Sequence, residues 1–320
     1  MKRAENLRTP LISLAITVAL AFAGVMTLRA DSKTSSTGVP VTVLVTATSH
    51  KTSAPSVPEN EVVVRQNGDV RQVISWKPAA HSGSGLDLAI LVDDQASQRL
   101  ASNLEELREF VRAQNSDTRV AVAYANYGAV QMERDFTSEH ELAAKALRIP
   151  SAIRGTSNGT YDSVRELVKH WPNDGNRRVL LLISSGIDLT NGVGDTNPYR
   201  NLPLSDAIES AQRANAVVYT IFAAGDTRAL RNDYLTTNGQ GSLERLASET
   251  GGHAFFQGLS TPVSLQPFLQ DFSGMLGQQY LLTFMADANS KSELSRLKVT
   301  SEQSGVELHA PEHVLVPRAQ

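Results

Sequence analysis

Hydrophobic and polar positions follow two different periods along this chain. Residues 41–47 (VTVLVTA), 61–65 (EVVVR) and 70–76 (VRQVISW) are rich in β-branched residues. Asn67-Gly68 between the last two runs accepts the positive φ of a tight hairpin turn, so 40–78 reads as a small β unit. A linker of small residues, 79–85 (AAHSGSG), follows. From residue 86 apolar runs alternate with helical spacing. The run LDLAILVD over 86–93 leads into 97–114, where Leu100, Leu104, Leu107 and Val111 share one helical face. Further strands are predicted over 119–124, 129–136 (an edge strand), 178–184, 216–222 and 253–256. Further helices are predicted over 139–147, 161–171, 205–215, 242–250 and 263–276. This alternation predicts an α/β domain over 86–277, with a mostly parallel central sheet covered on both faces. The main strands are apolar on both sides, as double-sided burial requires. The tail, 278–320, returns to β character at 279–285, 297–300 and 306–309. It is expected to pack with the N-terminal β unit, since neither piece alone has enough strands to be stable.

Composition narrows the functional classes. With 320 residues, 41% of them hydrophobic, the chain can bury a sizeable core, and its net charge of −3 leaves no basic excess for neutralising nucleic-acid phosphates. There is no cysteine, which excludes disulfides, thiol catalysis and a lipid-modified cysteine anchor. The N-terminus opens with MKR and carries an apolar run over 11–28. Residues 1–30 therefore read as a signal peptide, with cleavage after Ala23 or Ala30, or as a signal anchor holding the protein to the membrane. Either way the chain from Asp31 onward, starting with a polar linker over 31–39, is expected in the periplasm or outside the cell.

Several segments together resemble the bacterial von Willebrand factor A-related proteins of acidobacterial type: EVVVRQNGDVRQVISW, LAILVD, NGTYDSV, RRVLLLISSG, DAIESAQRANAVVYTIF, LERLASETGGHAFF and QYLLTF. The resemblance implies a Rossmann-like von Willebrand factor A domain with a small flanking β unit drawn from both ends of the exported chain. It also implies a protein-binding module, which in many relatives uses a divalent cation at the strand tips. The family's Asp-x-Ser-x-Ser pattern falls here on Asp93, Gln95 and Ser97, so an amide replaces one hydroxyl. Thr156 and Thr160 are candidates for the loop threonine, with Asn158 nearest the usual spacing. Ser185 stands where the second carboxylate is expected. Magnesium is usually held by one or two carboxylates among its oxygen ligands. Losing one carboxylate forfeits on the order of 4 kcal/mol of attraction at an effective dielectric of about 20. Any Mg or Mn binding is accordingly expected to be weak, unless Asp94 or Asp188 compensates.

Other candidates belong to recognition. The loop over 188–204 follows a strand's carboxyl end, where open α/β sheets bind ligands, and carries Tyr199 and Arg200, residue types enriched at interface hot spots. With Asp94, Asn158 and Asp188 they form the expected partner-binding set. The expected function is non-catalytic docking of a protein partner at the strand tips with weak or no metal dependence. The alternatives are a cation-dependent adhesion module of the same fold and an envelope hydrolase using Ser184 or Ser185. For the last there is no Gly-x-Ser-x-Gly elbow and no identifiable base.

Overall fold

A computed structural model describes residues 38–49, 56–151, 159–225 and 232–319. The segment over 1–30 read as an export signal, Thr156 and Asn158 lie outside the described residues.

The central sheet has six strands in the order β10-β9-β8-β5-β6-β7: β5 (Leu86–Asp93), β6 (Thr118–Asn126), β7 (Ala129–Thr137), β8 (Arg177–Ser184), β9 (Ala216–Phe222) and β10 (Ala254–Phe255). All pairings are parallel except β6 with β7, which is antiparallel. This is the α/β architecture with a mostly parallel sheet expected from the alternating pattern, and the Rossmann-like one that the resemblance implies. Strand parity divides its core in two. Leu88, Ile90 and Val92 of β5 pack with Leu104 and Leu107 of α1 (Leu104–Arg112), Ala143 and Ala144 of α2 (His140–Ala146) and Phe272 of α6 (Gln266–Gly277). Ala89 and Leu91 face the other way, onto Tyr161 and Val164 of α3 (Thr160–Lys169), Leu204 and Ala207 of α4 (Leu202–Arg213) and Leu243 and Leu246 of α5 (Asp233–Glu249). From β5 the chain crosses to β6 on one side, and from β8 it crosses to β9 on the other. The carboxyl ends of β5 and β8 therefore form the topological switch point, the crevice where such sheets bind ligands.

Eight more strands form two four-stranded sheets around a separate apolar core that includes Val43, Val45, Trp76, Leu282, Phe284, Leu297 and Val299. One sheet has the order β13-β1-β11-β4, with β1 Gly38–Ser49, β4 Val73–Pro78, β11 Gln279–Asp287 and β13 Val306–His309. The other has the order β14-β12-β2-β3, with β2 Val62–Gln66, β3 Asp69–Arg71, β12 Glu293–Ser301 and β14 His313–Val316. β1 runs antiparallel to β11 from Gly38↔Asp287 to Thr46↔Gln279. The turn between β2 and β3 is the expected hairpin, with Asn67 at φ 52° and Gly68 at φ 98°.

Several boundaries differ from the sequence reading, and β14 has no counterpart in it. The run over 70–76 is two strands, because the chain leaves one sheet at Arg71 and enters the other at Val73. The stretch over 97–114 opens with 3-10 turns at Gln98–Asn103 before α1 begins. The helix expected over 242–250 is the last part of a seventeen-residue helix that starts at Asp233, where the Asn232 side chain accepts from the Tyr234 and Leu235 amides.

Candidate functional site

Asp93 ends β5 on the α3 face and is 2% exposed. Its Oδ1 accepts the Gln95 amide at 2.9 Å, the Asx turn expected where a strand stops. Its Oδ2 accepts the hydroxyls of Thr160, at 3.0 Å, and Ser184, at 2.8 Å. Three elements converge on one carboxylate: the β5 tip, the first residue of α3 and the last of β8. Burial pushes the Asp93 carboxyl up from its ordinary range, and the donors from Gln95, Ser184 and Thr160 offset only part of that.

Parity explains which serine reaches it. Leu182 belongs to the α3–α4–α5 core and Ile183 to the opposite one, so Ser184 returns to the face occupied by Asp93. Ser184 Oγ also accepts the Gly186 amide at 3.0 Å. Ser185 lies one residue further and takes the Ile187 amide at 3.4 Å, with no hydrogen bond to Asp93. Of the two threonine candidates, Thr160 is the one within the described residues, and it is fully buried. Gln95 is buried beside Asp93, and Ser97 caps the following turn by accepting the Arg99 amide at 3.2 Å.

Asp94 points away from Asp93 and is 1% exposed. Arg148 donates to it at 2.7 Å, and Ser151 donates both its amide, at 2.8 Å, and its hydroxyl. Burial acts to raise the Asp94 carboxyl, but these donors hold it below the usual carboxylate range. The Arg148 guanidinium also stacks over the Tyr124 ring, 3.8 Å from its centroid, and the Arg148 amide donates to the Tyr124 hydroxyl. Arg148 and Ser151 were not singled out in the sequence, where nothing marks them as partners of a residue more than fifty positions away.

Asp188 follows the Gly186 turn and is 3% exposed. Its Oδ1 accepts the amide and the hydroxyl of Thr190, while its Oδ2 is buried with no hydrogen-bond partner among the described residues. Nearby, Tyr161 donates its hydroxyl to the Gly186 carbonyl at 2.7 Å, and burial holds that phenol well above its ordinary pKa. A close backbone crossing fixes the turn: a Cβ on Gly239 of α5 would lie 2.2 Å from the Ser185 carbonyl oxygen, and one on Gly186 would lie 2.3 Å from the Gly239 carbonyl oxygen. Only two glycines allow α5 to pass this near.

The loop after β8 is shorter and more ordered than the 188–204 span suggested. It contains a 3-10 turn at Val193–Thr196, and α4 begins at Leu202 with the Asn201 side chain accepting the Leu204 amide. α5 holds it: Asn238 donates to the Thr196 hydroxyl at 2.9 Å and Arg245 to the Pro198 carbonyl at 2.6 Å. Tyr199 stands out from this anchored loop at 82% exposure, with the Arg245 guanidinium 5.4 Å from its ring centroid. Arg200 is exposed beside it and lies 3.9 Å from Asp195.

The β5 tip presents one carboxylate whose oxygens are both taken, while Asp188, past the β8 turn, keeps one buried oxygen without a hydrogen-bond partner among the described residues. Asp93 is the one carboxylate in the hydrogen-bonded cluster, and both its oxygens already accept protein donors. Asp94 is committed to Arg148, and the described residues contain no cluster of three or more His, Cys, Asp or Glu side chains able to hold a metal ion.

No protein-family model matches this sequence, and no curated protein matches it. Among solved structures, the chain is similar to an aerotolerance-related membrane protein from Bacteroides fragilis with multiple mutations to serine. The identity is 12% and the TM-score 0.44, covering 60% of this chain and 98% of that one. It is also similar to the SpRpn10 VWA domain (13% identity, TM-score 0.40, 60% of this chain and 97% of that one). A third is the manganese-loaded TRAP protein of Plasmodium vivax (10% identity, TM-score 0.40, 85% of this chain and 96% of that one). Likeness at this level assigns neither a family nor a role to this chain. The fold itself is an α/β one, with a mostly parallel six-stranded sheet, one antiparallel edge and helices on both faces.

Proposed function

We propose that this chain is a non-catalytic protein-binding module of the cell envelope that docks its partner on the strand-tip face without needing a metal ion. The observation that carries this reading is the state of Asp93, whose two oxygens accept three internal hydrogen bonds. A site that closes on its own donors needs no cation to assemble it. Beside it stand the features that suit a protein interface: a loop pinned to α5, with Tyr199 and Leu202 exposed at 82% and 72%. A loop already held in place loses little backbone freedom on binding, and tyrosine is enriched among hot spots. The hydrolase alternative finds no support in the geometry. Ser184 is fully buried, donates to a carboxylate and accepts an amide, so it has neither an imidazole base nor access to substrate.

The test places a photo-crosslinking side chain at Tyr199 in the full chain in its native envelope, with a matched probe at exposed Glu109 on α1. A discrete protein adduct at position 199, absent at 109 and undiminished by EDTA, is the expected result. Adducts that form only when Mg²⁺ or Mn²⁺ is restored would overturn metal independence, and identical adducts at both positions would overturn the docking face.

A further inference from the structure

The β-sandwich carries a cleft of about 1050 Å³ that none of the strand-tip residues lines. One wall is the β2–β12 ladder and the other is β13, with Ser248 near the end of α5 at the border. Two open strand edges meet it. β14 covers β12 over Glu293–Arg296 and the Leu297 amide donates to the Glu312 carbonyl just before β14, so this edge of β12 opens at Lys298. The Asn67 amide donates to the Arg296 carbonyl, so by the alternation of an antiparallel ladder Lys298 and Thr300 turn their backbone groups toward β2. Val299 then turns its N–H and C=O outward, past the end of β14. On the other wall, Ala47 donates to the Gln278 carbonyl, so β1 bonds β13 through Thr46↔His309 and Thr48↔Glu307. Leu308 therefore turns its N–H and C=O away from β1. Among the described residues neither Val299 nor Leu308 has a strand beside these groups.

The ladder wall is also charged. Arg65 sits directly opposite Lys298, and Arg296 lies two residues along on the same exposed face. Like charges directly opposed in an antiparallel pair destabilise it, and among the described residues none of these three cations has a carboxylate within 4.0 Å. Glu307 lies on β13, whereas Glu312 lies beside Leu297 of the ladder wall, its carbonyl accepting the Leu297 amide.

We propose that this cleft receives an extended segment of a partner protein, added as a strand along the open edge of β12, with acidic side chains alternating with apolar ones. The pattern follows from the pleat. A strand beside Val299 places every second side chain on the face that carries Lys298 and, beyond it, Arg296, and the intervening ones toward the sandwich core that contains Leu297 and Val299. The cations give the segment its sign, and the unpaired backbone groups give it its conformation.

The probe is a fluorescent acetylated octapeptide alternating Glu and Val, titrated by anisotropy into the full chain. Saturable binding is expected, weakened at least tenfold by Lys298→Glu or Arg296→Glu in proteins whose circular dichroism is unchanged. It should weaken equally when the peptide is N-methylated on alternate backbone nitrogens, which leaves its charge and the protein intact. Equal binding of a Lys–Val octapeptide, or of the N-methylated Glu–Val peptide, would overturn strand addition. So would absence of peptide binding alongside Lys298-dependent binding to phosphatidylglycerol vesicles, which would assign the cations to a lipid surface.

Discussion

Asp93 shows how one carboxylate can close a site. A buried acid whose folded pKa is raised binds its proton more tightly in the fold than in the unfolded chain. Its contribution to stability is then complete below the unfolded value, about 3.9, and is lost as pH rises through the raised folded value. Asp93→Asn removes that titration. The amide oxygen keeps the Gln95 bond, and the amide nitrogen donates to the Thr160 and Ser184 hydroxyls, which accept as readily as they donate. The variant is expected to melt above the wild type at pH 7.5, by about 2–4 °C for each kcal/mol gained, with the difference shrinking toward pH 4. Thermal melts across this range check it. A variant less stable at every pH would mean that the charge at this position is itself required. At the same scale, strand parity shows what the linear pattern concealed. Ser185 aligns with the missing carboxylate by spacing, yet Ser184 supplies the hydroxyl, because a strand turns alternate residues to opposite faces and Ser184 falls on the Asp93 side.

α5 carries the lesson at the scale of elements. Its first half, DYLTTNGQG, is built from Thr, Asn and Gly, weak helix formers, so local pattern suggested a helix only from Ser242. Tertiary contact makes the longer helix: Leu235 packs on Ile187, and Gly239 lets the axis pass against the Ser185 carbonyl. The strands of the central sheet were legible because buried strands need unbroken apolar runs. The hairpin was legible because its turn needs residues that accept positive φ. Helix starts and long-range polar partners such as Arg148 were not, since packing sets them rather than local sequence. Two substitutions of the same kind separate these influences. Gly274→Ala in α6 meets only a side-chain tip at 4.0 Å, so helix propensity alone should stabilise the protein by about 0.5–1 kcal/mol. Gly239→Ala drives its methyl onto backbone at 2.2 Å, and the overpacking should outweigh that gain for a net loss of about 2 kcal/mol. Urea denaturation of both variants reads the two signs, and equal shifts would mean that α5 is free to move off the strand-tip turn.

On the scale of the whole molecule, the sandwich is tied into the sheet that carries the site. β1 is the first described strand and β11 follows the whole central sheet in the chain, yet they pair over nine residues, with β11 bonded to β4 on its other side. Leu44 of β1 joins the apolar core of the central sheet, while Val43 and Val45 join that of the sandwich. Polar ties cross at the same place: Tyr219 of β9 bonds the Thr46 hydroxyl at 2.9 Å, and Arg177 of β8 donates to the Gln279 side chain at 3.0 Å. A chain ending at Gly277 would keep every strand of the central sheet but lose β11 to β14. That strips β1 and β4 of their shared neighbour and uncovers Val41, Val43, Val45 and Trp76, which are at most 8% exposed in the intact fold. Exposed strand edges with such apolar faces pair with other chains. The truncated protein is expected to aggregate, or to be cleaved by protease within β1 or β4 while β5 to β10 resist, whereas in the full chain all of these strands resist. Equal resistance in the two proteins would mean that the central sheet alone holds the N-terminal strands in place. The docking face would then owe nothing to the sandwich that β1 and β11 close between them.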